Sequence, residues 1–323
     1  MSDRELSVTV SVPGKLFIAG EYAVTRPGGL ALVAAVESDF SVNVKKSAAL
    51  SKMRTNVGLP EISFCLKDLM KADILEILSE WTFALTALKR ILSILGSIPD
   101  FELEIDIQSG LGFGESKKGY GSSAAVVCGI VKALNQFFKL ELTLQEEFKI
   151  AFDVHYEVQR SGSGGDIAAI IFGGVVFYRN EDLIETVDLP CRETYVLSTG
   201  LPIKTGQKLA ETELSDEFFA DSNAIVEKLL RSKNFSDFKR ELLNNQALLR
   251  ENIPVGYVTE KLDFALKAVN SHPRLAGKIS GSGFGENMIV FSNGASQSEM
   301  DLLAQTLEQH GMKLEVLKIA PRN

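Results

Sequence analysis

The chain has 323 residues, a formal net charge of -8, 45% hydrophobic and 24% charged residues. These proportions exclude a mainly disordered chain, and the length allows two packed lobes or one large domain. No long basic run occurs, which argues against nucleic acid as a partner, and the net acidity means that a site for an anion must be basic locally.

In chain order, Val8–Val12 alternates like a strand, and Pro13–Gly20 reads as a turn and glycine-rich segment. Leu30–Val36 is apolar, and Phe40–Val44 alternates again before Lys45 and Lys46. This opening is antiparallel β rather than βαβ. Ala72–Leu95 carries Ile74, Leu78, Trp81, Leu85, Leu88 and Leu92 at helical spacing, with Gly96 as its stop. Phe101–Ile107 is a period-2 strand. A Gly/Lys/Ser loop over Ser109–Ser123 leads into a helix over Ala124–Phe138. Thr143 is the N-cap of a helix running to Gln159. A second Gly/Ser loop, Ser161–Gly165, precedes Asp166 and another apolar helix, and Val175–Tyr178 follows as a strand. The charged stretch Asn180–Glu193 marks a lobe boundary, giving lobes 1–188 and 189–323. Beyond it come a strand over Thr194–Ser198, amphipathic helices between Asp216 and Asn270, a third glycine loop at Ser280–Gly285 and a strand over Asn287–Phe291. A helix over Gln297–His310 and a strand over Lys313–Ile319 close the chain.

Cys65, Cys128 and Cys191 are scattered, with no CxxC or Cys/His cluster, so neither a disulfide framework nor structural zinc is expected. No apolar run reaches the ~18–20 residues of a membrane span, and the first residues lack a signal-peptide pattern. A cytoplasmic location, with no membrane partner, is expected.

The glycine loops carry the chemistry. Gly14-Lys15 and Gly277-Lys278 are followed by apolar residues, so neither is a P-loop, and neither Gly119-x-Gly121 nor Gly281-x-Gly283 completes a dinucleotide fingerprint. What remains is Lys117-Lys118-Gly119-Tyr120-Gly121-Ser122-Ser123-Ala124-Ala125 ahead of a helix. Glycines let backbone approach a polyphosphate, free N–H groups at a helix start point at it, and serine hydroxyls can hold a phosphate oxygen or Mg²⁺. A flexible loop with a serine N-cap is the competing reading.

GYGSSAAVV resembles the phosphate-binding GLGSSAA motif of the GHMP kinases. Two further motifs of that family stand in the same order: Pro13-Gly14-Lys15-Leu16-Phe17-Ile18-Ala19-Gly20-Glu21-Tyr22-Ala23-Val24 and Lys278-Ile279-Ser280-Gly281-Ser282-Gly283-Phe284-Gly285-Glu286. The resemblance spans essentially the whole chain. It implies an α+β fold of two lobes: an N-terminal β-rich α/β lobe that binds ATP and a C-terminal ferredoxin-like α+β lobe that completes the cleft where ATP and acceptor meet. Within the family, GEYAV followed by Pro27-Gly28, the Lys117-Lys118 pair and Ser161-Gly162-Ser163-Gly164-Gly165-Asp166 are most similar to the phosphomevalonate kinase branch. Phosphomevalonate is then the implied acceptor, ATP the donor and Mg²⁺ the metal, with mevalonate as the alternative acceptor. A decarboxylase of diphosphomevalonate, a sugar kinase and a non-catalytic sensor are further readings.

By the same resemblance Lys15 and Asp166 are the catalytic pair. Lys117, Gly119, Gly121, Ser122, Ser123 and Ala124 hold ATP, while Glu21, Tyr22, Ser161, Ser163, Gly281, Ser282 and Gly283 hold the acceptor. Ser123 and, more weakly, Glu157 are the Mg²⁺ ligands. An ungapped alignment sets His155 where some members have a metal-binding glutamate. Phe284, at a place usually occupied by glycine, makes the third loop bulkier. The chain is expected to act as a monomer or homodimer.

Overall fold

The computed structural model describes residues 7–76, 79–111, 119–180, 182–200, 214–254, 256–284 and 287–323. The elements run β1 (Ser7–Ser11), β2 (Gly14–Ala19), β3 (Leu30–Val36), β4 (Phe40–Ser47), β5 (Ser51–Thr55), β6 (Ile62–Phe64), α1 (Leu66–Lys71), α2 (Thr82–Leu95), β7 (Glu102–Ser109), α3 (Ser122–Phe138), α4 (Leu144–Gln159) and α5 (Gly165–Phe172). They continue with β8 (Val175–Arg179), β9 (Leu183–Val187), β10 (Glu193–Ser198), α6 (Asp216–Leu230), α7 (Phe235–Asn252), α8 (Glu260–Asn270), β11 (Leu275–Ile279), β12 (Met288–Ser292), α9 (Gln297–Glu308) and β13 (Lys313–Leu317). The α+β class expected from the sequence is the one observed.

Packing divides the chain into two units. One takes in Met1–Gly14, Ser38–Phe113 and Gly121–Ile171; the other takes in Lys15–Glu37, Gly114–Tyr120 and Phe172–Asn323.

The first unit is built on a sheet of order β1-β4-β7-β5-β6. Only β5 and β7 pair in parallel among the registered neighbours. Period-2 patterning explains one buried face: Val42 and Val44 of β4 stand opposite Ile107 and Ile105 of β7, and all four are buried. Helix α3 packs on β1 and β4, with α2 and α4 against it. Its apolar residues Val127, Ile130, Val131 and Leu134 are wholly buried.

Helix α4 starts where Thr143 predicts. The Thr143 hydroxyl accepts the Glu146 N–H, and the Glu146 carboxylate accepts the Thr143 N–H at 2.8 Å, a reciprocal capping box. Thr143→Ala should therefore lower stability by about 1 kcal/mol, read as a shift of the urea midpoint without a change of slope.

The second unit holds two sheets, of order β2-β3-β8-β9 and β11-β12-β10-β13. Every residue of β3 is buried, as its unbroken apolar run requires of a strand covered on both faces. Helix α6 packs on β3, and α7 and α8 on β11. Phe238 of α7 meets Phe291 of β12 edge-on, with ring centroids 5.0 Å apart. Ser215, Asn234, Thr259 and Ser296 cap α6, α7, α8 and α9, each accepting a backbone N–H three residues on. No helix among the described residues is long and apolar enough to cross a membrane.

Two sequence expectations are corrected. The segment Pro13–Gly20 contains a strand, because Leu16 and Ile18 alternate inward and are buried. The single helix expected over Ala72–Leu95 begins only at Thr82. Ahead of it, Asp73 accepts the Leu75 N–H, and the Ser79 and Thr82 hydroxyls bond to nearby backbone. These local bonds compete with helix formation. Ile74 and Trp81 are still buried, as their apolar character demands.

Candidate active site

In the first unit the start of α3 differs from the capped helices. Its N-cap is Gly121, left-handed at φ 76°, and no side chain among the described residues caps the helix. A serine or aspartate would adopt this backbone only with strain, and glycine has no side chain with which to cap the first-turn N–H groups. Ser122 and Ser123 occupy that turn, and Ala124 lies wholly buried beneath it. A helix start of this kind, with the positive end of the dipole and two hydroxyls beside it, has the chemistry to attract an anion. Ser123 Oγ stands 3.2 Å from Nε2 of His155 on α4, and the His155 ring stacks on Phe83 with centroids 5.1 Å apart. His155 is buried, so one of the two hydroxyls of this turn has a protein partner.

Asp166 lies in the first turn of α5, half-buried, with Oδ1 accepting the Ile167 N–H at 3.0 Å. A carboxylate there is favoured by the helix dipole. Its charge also reaches Cys128 of α3, whose wholly buried thiol is pushed well above the ordinary range, first by burial and then by Asp166 and Glu147. Ser163 is buried and accepts the Gly165 N–H at 3.3 Å, whereas Ser161 is exposed and donates to the Gln159 carbonyl at 3.5 Å. Glu157 is engaged by Arg90, 2.6 Å away.

In the second unit Lys15 stands on β2, with its backbone N–H donated to the Tyr120 carbonyl at 3.0 Å. The lysine strand and Tyr120 of the second motif are thereby tied together. The Lys15 Nζ lies 5.3 Å from the Phe17 ring centroid. Glu21 is buried and pairs through Oε1 with Lys278 Nζ, and the same oxygen accepts the Gly281 N–H at 3.3 Å. Tyr22 has a left-handed backbone, φ 66°, rare for a bulky residue, and its hydroxyl donates to the Ser282 carbonyl at 2.6 Å. Ser280 Oγ donates to the Phe17 carbonyl at 2.8 Å. The first and third motifs thus converge on one turn, in which Gly281, Gly283 and Phe284 all have positive φ. Gly119 is left-handed at φ 74°; Lys117 lies outside the described residues.

Two partners escape sequence reasoning. His155 enters it only as an alignment position, and Lys278 only as a failed P-loop lysine. Neither the Ser123–His155 nor the Glu21–Lys278 contact has a local sequence signature.

Comparison with known proteins identifies the family of the chain. Family profiles described as "GHMP kinases N terminal domain" and "GHMP kinases C terminal" match residues 82–174 and 226–311. The chain belongs to the GHMP kinases, phosphotransferases that use ATP. It is 31% identical over 206 residues to a phosphomevalonate kinase of Streptomyces sp. (strain CL190), a match covering 59% of this chain and 54% of that protein. It therefore spans about half the length of that relative. It is 25% identical over 310 residues to a mevalonate kinase of Methanocaldococcus jannaschii, covering 90% of this chain and 94% of that one. Among solved structures, the Lin0012 protein of Listeria innocua superposes with a TM-score of 0.86 at 26% identity, covering 98% of both chains. Some further relatives and structures carry one or other of these two kinase names, and others are named pantoate kinase, galactokinase or homoserine kinase.

Proposed function

We propose that this protein transfers the γ-phosphate of ATP to (R)-5-phosphomevalonate, giving 5-diphosphomevalonate, within the mevalonate route to isoprenoids. The observation that carries the kinase reading is the start of α3, where Ser122 and Ser123 follow left-handed Gly121 and no side chain among the described residues caps the helix. The choice of acceptor is supported by the GEYAV form of the first motif and by the likeness to the Streptomyces enzyme.

Phosphoryl transfer asks chiefly for positioning and charge neutralisation. In this reading Gly119, Gly121 and the start of α3 hold the ATP phosphates, with Lys117 as a further cation. Lys15 neutralises the transferred group. A phosphomonoester, with a second pKa of ~6, is already largely ionised at neutral pH. Asp166 then orients the attacking phosphate oxygen rather than stripping a strongly held proton. The turn from Ser280 to Gly283, with Glu21 and Tyr22 behind it, forms the acceptor floor, and Ser161 and Ser163 contribute polar contacts.

Magnesium suits the residues present. It takes oxygen ligands and is commonly held by few protein groups together with substrate phosphates. The Ser123 hydroxyl is such a group; Glu157 would first have to leave Arg90. When bound, the ion would neutralise charge on the polyphosphate.

Mevalonate kinase is the second reading, favoured by the near full-length match to the Methanocaldococcus enzyme. Coupled ADP release against phosphomevalonate, mevalonate and a panel of sugars decides the matter. We expect phosphomevalonate to be preferred by about tenfold or more in kcat/KM. Stimulation by mevalonate alone would establish the second reading, and CO₂ release would point to the decarboxylase.

A further inference from the structure

Strand β11 ends at Ile279, and the Ser280–Gly283 turn follows directly. Both backbone groups of Ile279 are taken by buried side chains. Gln246 Oε1 of α7 accepts its N–H at 2.8 Å, and Lys278 Nζ donates to its carbonyl at 2.6 Å. Lys278 is wholly buried, and its ammonium also pairs with Glu21, 257 positions earlier. Burial pushes this ammonium below its ordinary range, although Glu21 acts to raise it. A buried ion pair is weak evidence for stability, because desolvation of both ions offsets their attraction. What it supplies is direction. One carboxylate oxygen of Glu21 is fixed by Lys278 and the Gly281 N–H. The other, Oε2, is buried without a hydrogen-bond partner among the described residues, as is Ser282 Oγ. Such groups are costly unless something else uses them.

We propose that Lys278 is a positioning residue, which holds Glu21 and thereby locks the first motif onto the Ser280–Gly283 turn that receives the acceptor. The proposal rests on the reading of that turn as the acceptor floor. Lys278 itself touches no substrate. Its work is to keep the Gly281 N–H, the Ser282 hydroxyl and Glu21 Oε2 in fixed places before the acceptor arrives.

The test uses the full chain with Lys278→Met and with the double variant Glu21→Gln/Lys278→Met. The single variant leaves a buried carboxylate unpaired and should melt lowest or fail to fold; the double variant, with neither charge, should recover most of the loss. Equal melting of the two would overturn the assignment of Lys278 as the holder of Glu21. In the double variant, kcat with the acceptor should fall about tenfold or more while KM for ATP stays within about threefold. Wild-type constants there, or an equal change toward ATP, would reduce the pair to a stability element. Hydrogen–deuterium exchange of peptides covering 279–284 should also quicken in the double variant without ligand. Unchanged exchange overturns the proposal whatever the acceptor proves to be. A wild-type protein that phosphorylates neither acceptor sinks the functional reading alone, since the exchange result stands apart from it.

Discussion

Asp166→Asn is expected to lower turnover by about 10²-fold or more, the scale of misplacing a reacting group, while leaving the fold intact. The substitution is nearly isosteric. An amide oxygen can still accept the Ile167 N–H that Oδ1 now takes, so the first turn of α5 keeps its bond and loses only the charge. Lys15→Met should cost about 10²–10³-fold, the scale of removing one electrostatic contact to the transferred group. Methionine keeps the apolar stem beside Phe17 and cannot supply the cation. The check is steady-state ADP release alongside a melting curve for each variant. Near-normal turnover in a folded Asp166→Asn protein would remove Asp166 from the chemistry, and the same outcome for Lys15→Met would remove Lys15.

The second large effect is structural. Gly20 ends the strand that carries Lys15 and leads into Glu21 and Tyr22. Its φ is +86°, and a Cβ added there would lie 2.0 Å from the Leu30 carbonyl oxygen and 2.7 Å from the Ala31 Cα. Both neighbours are backbone atoms of the buried strand β3 and cannot move aside as a flexible side chain would. Gly20→Ala should cost about 3–5 kcal/mol and carry activity down with it. Gly28→Ala is the control. Gly28 has φ +74° but no atom within 4 Å of the added carbon, so only the left-handed backbone is penalised, by ~1–2 kcal/mol. Denaturant unfolding of the two variants separates crowding from backbone preference. Equal losses would mean that the approach of β3 is not what fixes this glycine.

Much of the local structure around the candidate site is legible in the sequence because its signals are local. The glycine and serine residues ahead of α3, the Thr143 capping box and the period-2 run of β7 each depend on neighbours within a few positions. Sequence and structure part where local pattern and tertiary packing disagree. Pro13 and Gly14 look like a turn, yet Leu16 and Ile18 are drawn into a core and make β2. Ile74 and Trp81 keep a helical spacing with α2, but Asp73, Ser79 and Thr82 commit backbone bonds to turns. Strands β5, β6, β9 and β11 escape a sequence reading, being short or lacking clean alternation. The partnership of Glu21 with Lys278 lies beyond any local pattern. A lysine after a glycine reads as a surface residue until strand β11 is seen to bury it wholly. Lys117 of the second motif lies outside the described residues.

The glycine that opens α3 has a consequence for anyone wishing to make this protein more robust. Five other helices begin with a threonine, serine or asparagine that closes off their first turn. A designer surveying helix starts would mark α3 as the defect and repair it with a residue of the same kind. If α3 cradles the nucleotide as proposed, that repair would occupy the place the phosphates need, and at φ 76° it would strain the backbone as well, giving a poorer catalyst with no gain in stability.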